Sequence, residues 1–186
     1  MLFYQKGYTA TSVADVAEAA NVAKGNLTYY FKTKDDLMRA VSAARHDTIT
    51  QRINLWLDSA QPPDVCIEAF IRYVESTAED FMRFGCPLAT ISDELGKEHL
   101  ELQEDANKNF YLLRDFLQLQ FKATYPDLKA RIYAEHLLVM AEGAAVMSHT
   151  FRDATLVHRI AETMREWVRT KLPQGVRTSD SDASGR

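Results

Sequence analysis

The 186-residue chain lacks the sequence features that are typical of membrane, secreted and metal-binding proteins. No run of about 18 apolar residues occurs in it, so the sequence predicts no membrane-spanning helix and no membrane partner. It does not open on a charged segment followed by an apolar one, so we expect a cytoplasmic protein. Its two cysteines, Cys66 and Cys86, are not expected to form a structural disulfide in that compartment. No group of His, Cys, Asp and Glu has metal-ligand spacing, and the sequence implies no cofactor.

Acidic and basic residues are unevenly divided along the chain. The formal net charge is −4, yet residues 1–50 carry six Lys and Arg against five acidic residues. The rest of the chain carries 16 basic against 21 acidic residues, so the excess acid lies in the C-terminal part. A segment so weakly basic predicts only modest affinity per subunit for a polyanion such as a nucleic acid, and binding of that kind would favour a dimer.

The segment from Thr9 to Leu37 has the pattern of two short helices joined by a tight turn. Apolar residues of the first helix recur at i, i+3, i+4 and i+7, at Val13, Val16, Ala17 and Ala20. Ser12 followed by Asp15 predicts a capped N-terminus, and Asn21 suits a left-handed turn residue. The second helix, residues 23–30, presents a cation, a glycine, an amide and two phenols. These groups suit a major groove, so the sequence predicts a helix-turn-helix.

Residues Gly7 to Leu37 resemble the tetracycline-repressor (TetR) family through the run Gly-Tyr-x-x-Thr-Ser-Val-x-Asp-Val-Ala-x-Ala-Ala-x-Val-x-Lys-Gly-x-Leu-x-Tyr-Tyr-Phe-x-x-Lys-x-x-Leu. The resemblance implies an all-α homodimer: an N-terminal three-helix helix-turn-helix domain plus a C-terminal helical bundle for ligand binding and dimerisation. We therefore expect the DNA-binding domain, with the start of a linker helix, in residues 1–37. The ligand-binding and dimerisation domain is expected in residues 38–172, and a disordered tail in residues 173–186.

Three positions depart from the family pattern. Only residues 1–6 precede the Gly-Tyr pair, where the family carries a whole helix, so the resemblance implies a truncated first helix. Ala23 stands where serine is common, which removes a side-chain cap worth about 1 kcal/mol. Thr28 replaces a common aromatic residue, which changes the expected operator sequence but not the mode of binding.

The resemblance and the chemistry of the recognition helix together predict the DNA contacts. Lys24 and Asn26 lie in its first turn, where lysine reaches guanine and asparagine reaches adenine; the alternative is an ordinary solvated turn. Gly25 lets the backbone approach the duplex, or is merely a small packing residue, and Thr28 faces a thymine methyl group. The predicted phosphate contacts are Thr11, Ser12, Tyr29, Tyr30 and Lys34.

Every long segment after Thr33 has helical periodicity. Thr33 and Asp36 form a second predicted capping box, for a linker helix that runs to about residue 59. The following helices are predicted over residues 65–84, 87–95, 98–124, 128–150 and 154–172.

The last two of these helices are the predicted dimer interface. For any single apolar residue on these helices, packing in the core is the simpler interpretation. For the two helices together, the resemblance favours a four-helix interface between two copies of the chain. The surface predicted for it comprises Leu137, Met140, Ala141, Gly143, Ala144, Ala145, Met147, Ile160, Met164, Trp167 and Val168.

An effector pocket is expected among the aromatic and methionine residues of the C-terminal part, although most of them are core. Phe110 and Met140 are candidates for its apolar wall. His136 and Glu142, which lie about two turns apart on one predicted helix, are candidates for a polar group inside it. The identity of the effector cannot be read from the sequence.

The element Gly-Cys-Pro-Leu at residues 85–88, followed by Glu94 and Leu95, is similar to one in a branch of the family that includes sensors of electrophiles and oxidants. Cys86 precedes Pro87, so its sulfur is predicted at a helix N-terminus, where a thiolate is favoured and the pKa falls. The alternative is a small packed residue at a sharp turn. Cys66 is expected to be inert packing.

These patterns predict a ligand-responsive transcriptional regulator, a repressor that a small molecule or a thiol-reactive electrophile releases from a near-palindromic operator. A cysteine-dependent enzyme or a structural helical interaction protein is the alternative. No Ser/His/Asp or Cys/His pattern supports catalysis, so we do not expect an enzyme.

Overall fold

The computed structural model describes residues 2–57 and 61–172, which form ten α-helices and no β-strand. The first four helices are α1 (Leu2–Lys6), α2 (Val13–Ala19), α3 (Lys24–Tyr30) and α4 (Lys34–Leu57). The others are α5 (Pro63–Ser76), α6 (Ala78–Phe84), α7 (Pro87–Leu95), α8 (Leu100–Lys122), α9 (Asp127–Phe151) and α10 (Thr155–Lys171). The all-α prediction is confirmed. The predicted disordered tail, residues 173–186, lies outside the described residues, as does the predicted end of the linker helix.

Within the described ranges, none of the helices is both long enough and apolar enough to cross a bilayer. The same residues contain no cluster of His, Cys, Asp and Glu that could hold a metal ion.

Local chemistry explains where the long helices begin. The Asp36 amide donates to Thr33 Oγ1 and the Thr33 amide donates to Asp36 Oδ2, both at 3.0 Å, so the predicted capping box at the start of α4 is confirmed. Pro63 and Pro87 lie in the first turns of α5 and α7, where a missing amide hydrogen costs nothing.

The single helix predicted over residues 65–84 was wrong, because Thr77 divides it into α5 and α6. The Thr77 hydroxyl donates to the carbonyl oxygen of Val74 at 2.7 Å, and the Ser76 hydroxyl donates to that of Tyr73 at 2.7 Å. Adjacent hydroxyls that bond to carbonyls one turn back compete with the helical ladder, and this interrupts it. The break turns α6 toward α9, against which it packs.

Two apolar cores hold the chain together. The larger core lies among α4 to α10, with Phe70, Leu117 and Phe121 at its centre. The smaller core is shared between the N-terminal helices and α7 and α8, and its buried members are Phe3, Tyr8, Leu37, Met38, Ile91, Leu95, Leu102 and Ala106. The helix-turn-helix therefore does not pack on itself alone, because α7 and α8 complete its core.

Candidate DNA-binding surface and effector cavity

The helix-turn-helix begins at a capping box on α2. The Asp15 amide donates to Ser12 Oγ at 3.1 Å, and the Ser12 amide donates to Asp15 Oδ2 at 2.7 Å. These hydrogen bonds lower the pKa of Asp15. Asn21 adopts a left-handed conformation, with φ of 55°, in the turn to α3. The predicted cap and turn are confirmed, and Ala23 leaves α3 without a side-chain cap, as predicted.

The recognition helix α3 has no buried residue, so its polar face is open to solvent. Tyr29 and Tyr30 are 71% and 74% exposed, and their rings meet edge to face with centroids 5.2 Å apart. Lys24 and Asn26 are likewise exposed in the first turn. Leu27 and Phe31 pack against the smaller core and anchor the opposite side of the helix. The structure thus leaves Lys24, Asn26, Tyr29 and Tyr30 exposed on α3.

Gly25 and Thr28 differ in what surrounds them. No atom lies within 4 Å of the position a Cβ would take at Gly25, so packing within the described chain does not require glycine there. The Thr28 hydroxyl donates to the carbonyl oxygens of Lys24 at 3.1 Å and Gly25 at 3.2 Å. With the hydroxyl so engaged, the Thr28 methyl group is what remains for an apolar contact.

The predicted phosphate contacts beside α3 are not equally available. Ser12 is exposed at the start of α2, although its hydroxyl caps that helix. The Lys34 ammonium donates to the carbonyl oxygen of Thr9 at 3.3 Å and lies 4.2 Å from the centroid of the Tyr8 ring. Thr11 is buried and its hydroxyl donates to the carbonyl oxygen of Gly7 at 2.6 Å, so its side chain is not presented to a phosphate.

A carboxylate on α7 fastens this DNA-binding head to the rest of the chain. Glu94 accepts hydrogen bonds from the amides of Tyr8 and Thr9, both at 2.7 Å. Gly7, with φ of 85°, passes so close that a Cβ would lie 2.8 Å from a Glu94 oxygen. Burial alone would raise the pKa of Glu94, but the hydrogen bonds from Thr9 and Tyr8 outweigh it and lower the pKa. Apart from the Glu-Leu pair itself, no pattern in the sequence pointed to this role of Glu94.

At the other end of α7 lies a cavity of about 40 Å³, enclosed by α4, α5, α6, α7, α8 and α9. Its lining is mainly apolar, with one carboxyl group, and comprises Arg45, Ile49, Phe70, Tyr73, Val74, Phe81, Cys86, Pro87, Leu88, Leu113, Leu138, Ala141 and Glu142. Of the predicted pocket residues, the structure brings Cys86 and Glu142 together here. The Cys86 thiol donates to Glu142 Oε1 at 3.1 Å.

The other predicted pocket residues lie away from this cavity. Phe110 and Met140 are partly buried against the larger core but do not line the cavity. His136 is exposed, and its ring lies against Trp167 with centroids 4.6 Å apart. Helical spacing alone could not distinguish His136 and Met140 from Glu142, because all three lie on α9 and this helix contacts different neighbours along its length.

The predicted thiolate character of Cys86 was wrong. The thiol is buried, and burial together with the neighbouring Glu142 carboxyl raises its pKa well above the ordinary range. Hydrogen bonds from the first amides of α7 act in the opposite direction but do not overcome burial. Cys86 is thus the packed residue of the alternative interpretation. Cys66 is also a buried free thiol, and burial raises its pKa too.

The small-residue surface predicted for dimerisation is largely interior in a single chain. Leu137, Ala141, Ala144, Ala145, Met164 and Val168 are all buried. Met147, which belongs to the predicted surface, is exposed, and the other large apolar residues that α9 leaves exposed are Leu128, Ile132, Val139, Val146 and Phe151. Small residues let α8 and α10 approach α9 closely, so they serve the fold of one chain.

Comparison with known proteins agrees with this architecture. Residues 1–41 match the family described as "Bacterial regulatory proteins, tetR family". Residues 63–163 match the family described as "Transcriptional regulator LmrA/YxaF-like, C-terminal domain".

Individual relatives match over different lengths. An uncharacterised HTH-type transcriptional regulator in the lacX 3′ region of Lactococcus lactis subsp. lactis is 28% identical over 139 residues, 73% of this chain and 68% of the relative. The transcriptional regulator AcuR of Cereibacter sphaeroides is 32% identical over 95 residues, 50% of this chain and 43% of its own length. The crystal structure of a TetR transcriptional regulator from Legionella pneumophila has a TM-score of 0.80 at 20% identity, covering 89% of this chain and 90% of that one.

Proposed function

Because this chain belongs to the TetR family of bacterial transcriptional regulators, we propose that it is a homodimeric repressor which a small molecule releases from a near-palindromic operator. The observation that carries the proposal is the open polar face of α3, anchored by Leu27 and Phe31 and flanked by a capped α2. A short helix held in this way can enter a major groove with its side chains reaching base edges.

The proposed contacts divide by chemistry. Lys24, Asn26 and the Thr28 methyl group read bases, while Gly25 admits the duplex to the helix backbone. Tyr29, Tyr30, Lys34 and the start of α2 at Ser12 bind phosphates and fix the register. Thr11 is left out of the side-chain contacts because its hydroxyl is buried and engaged.

We place the dimer interface on the exposed apolar face of α9, together with α10. Ile132, Val139 and Val146 follow one another at seven-residue intervals, and Leu128, one turn before Ile132, extends the face toward the start of the helix. An exposed apolar stripe about five turns long is unusual on a monomer, because apolar surface left in water forgoes the favourable free energy of burial. A second copy supplies the same stripe by symmetry, and two heads on one duplex compensate for modest affinity per head.

Release by an effector follows from where α7 lies. Its first residues line the cavity, and its last turn holds the head through Glu94. The Tyr4 hydroxyl adds a second link, since it donates to the carbonyl oxygen of Gly85 at 2.7 Å, beside the cavity residue Cys86. A cavity of about 40 Å³ is far smaller than the several hundred cubic ångströms of a typical ligand site. An effector therefore has to push α7 outward, and the head moves with it.

The effector is proposed to be a small molecule rather than a thiol-reactive electrophile. Cys86 is buried and its pKa is raised, which keeps the sulfur protonated and poorly nucleophilic. The same environment argues against a cysteine-dependent enzyme, because a buried thiol with a raised pKa stays protonated and is a poor nucleophile.

Nuclease footprinting on DNA flanking the gene tests the proposal. The expected result is one protected region with two-fold sequence symmetry, whose half-sites are separated by about one helical turn or a multiple of it. A dimer-breaking variant, Val139→Asp, should lose protection of both half-sites together. Protection of a single half-site by wild type, or no protection anywhere, contradicts the proposed mode of binding.

A further inference from the structure

The carboxyl group of Glu142 is the one acidic group in the lining of the effector cavity. Its Oε1 atom accepts the hydrogen bond from Cys86, whereas its Oε2 atom is buried and has no hydrogen-bond partner within the described residues. Burial raises the pKa of Glu142. A buried carboxyl oxygen without a partner loses hydration and receives nothing in exchange, so such an atom calls for an explanation.

The charges around Glu142 do not neutralise it. None of the ion pairs among the described residues includes Glu142. The charge of Asp93, on α7, raises the pKa of Glu142 further. Arg45 also lines the cavity, but it does not pair with Glu142, and its charge instead lowers the pKa of Tyr4. The missing group is therefore a hydrogen-bond donor that carries positive charge.

Most of the other residues that line the cavity are apolar. Phe70 and Phe81 supply aromatic surface from α5 and α6, and Leu113 and Leu138 close the cavity from α8 and α9. The body of a ligand that enters here exchanges water for apolar contacts, whereas an anionic ligand would be repelled by the carboxylate of Glu142.

We infer that the effector of this regulator is an organic amine with a compact apolar or aromatic body, whose ammonium group donates to Glu142 Oε2. The inference rests on the proposed function, since it assigns the chemistry of the effector site. The ammonium group forms an ion pair with the Glu142 carboxylate and provides the donor that Oε2 lacks. The body of the ligand separates α7 from α9 at the Cys86–Glu142 contact, which is the displacement that moves the head.

Three probes of similar size test the amine requirement: 2-phenylethylamine, 2-phenylethanol and phenylacetate. Calorimetric titration of the full chain should give a dissociation constant for the amine at least tenfold lower than for the alcohol or the acid. In Glu142→Gln the amine should lose that preference while the alcohol binds as before. Glu166→Gln, an exposed glutamate on α10, is the matched control and should keep the wild-type order.

Each outcome decides the question. Equal binding of amine and alcohol, tighter binding of the acid, or an amine preference that persists in Glu142→Gln overturns the inference. Failure of all three probes to bind wild type also overturns it, and that comparison does not depend on the variant folding. Operator binding is measured on the same samples. If the protein binds its operator but prefers no amine, this inference fails alone, whereas a protein that binds no operator refutes the proposed function itself.

Discussion

Replacing Glu94 by glutamine should loosen the DNA-binding head without touching the recognition helix. The carboxylate accepts hydrogen bonds from the amides of Tyr8 and Thr9, and each such charge-assisted bond is worth about 1.5–3 kcal/mol. Glutamine keeps one acceptor oxygen for one of these two backbone amides. Its side-chain NH2 group faces the other backbone N–H, so two donors oppose each other and that hydrogen bond is lost. Since the hydrogen bond from Thr9 is exposed, its contribution lies at the lower end of that range. We therefore expect the free energy of unfolding to fall by roughly 2 kcal/mol.

For a chain of this size that loss lowers Tm by about 4–8 °C. The Tyr8 and Thr9 amides should also exchange their hydrogens faster in the variant, because they lose their acceptor. Glu104→Gln, at an exposed position on α8, changes the same charge and serves as the control. An equal Tm and equal amide exchange in Glu94→Gln and Glu104→Gln would refute the reasoning.

The pH dependence of the effect has a defined sign. The pKa of Glu94 is lower in the folded protein than in the unfolded chain, where it is about 4.3. Its stabilisation is therefore fully present above pH 4.3 and is lost as the pH falls through the lower, folded value. The difference in Tm between wild type and Glu94→Gln should be constant near neutral pH and should shrink in acid. A difference that grows on acidification contradicts the assignment.

Further predictions concern the recognition helix, the dimer face and the thiols. Gly25→Ala should leave Tm unchanged or slightly raised, because a Cβ meets no atom there, yet it should weaken operator binding; unchanged binding would remove Gly25 from the contacts. Val139→Asp should give monomers by analytical ultracentrifugation, whereas Glu104→Gln on α8 should not, and a dimeric Val139→Asp would move the interface elsewhere. Cys86 should react with a disulfide reagent at least about 100-fold more slowly in the folded than in the unfolded chain, and a fast reaction that Cys86→Ser abolishes would show an accessible thiolate.

Sequence predicted best those features that a few neighbouring residues determine. The capping boxes at Ser12 and Thr33 and the left-handed turn at Asn21 involve partners no more than three residues away, and all three were confirmed. The break at Thr77 was missed, because the apolar periodicity continues through it and only the adjacent hydroxyls of Ser76 and Thr77 indicate competition with the backbone hydrogen bonds of the helix.

What failed depended on distant parts of the chain. Glu94 bonds to residues 85 and 86 positions away, and Cys86 bonds to Glu142, 56 positions away. The helix N-terminus at Cys86 predicted a lowered pKa and a reactive thiol. Burial raises the pKa instead, and the helices that bury Cys86 are distant in sequence from residues 85–88. Similarly, α9 is apolar on two faces, and periodicity cannot tell the face that packs within one chain from the face left for a second copy.

The central claim is that α3 reads DNA, and fluorescence anisotropy with the operator fragment and a scrambled duplex tests it most directly. Wild type should prefer the operator, with an affinity that falls steeply as salt rises. Lys24→Ala should cost about 1–3 kcal/mol of that preference, whereas Lys97→Ala, an equal change of charge outside α3, should cost none of it. Equal affinity of wild type for the two duplexes, or equal loss in both variants, would contradict the account.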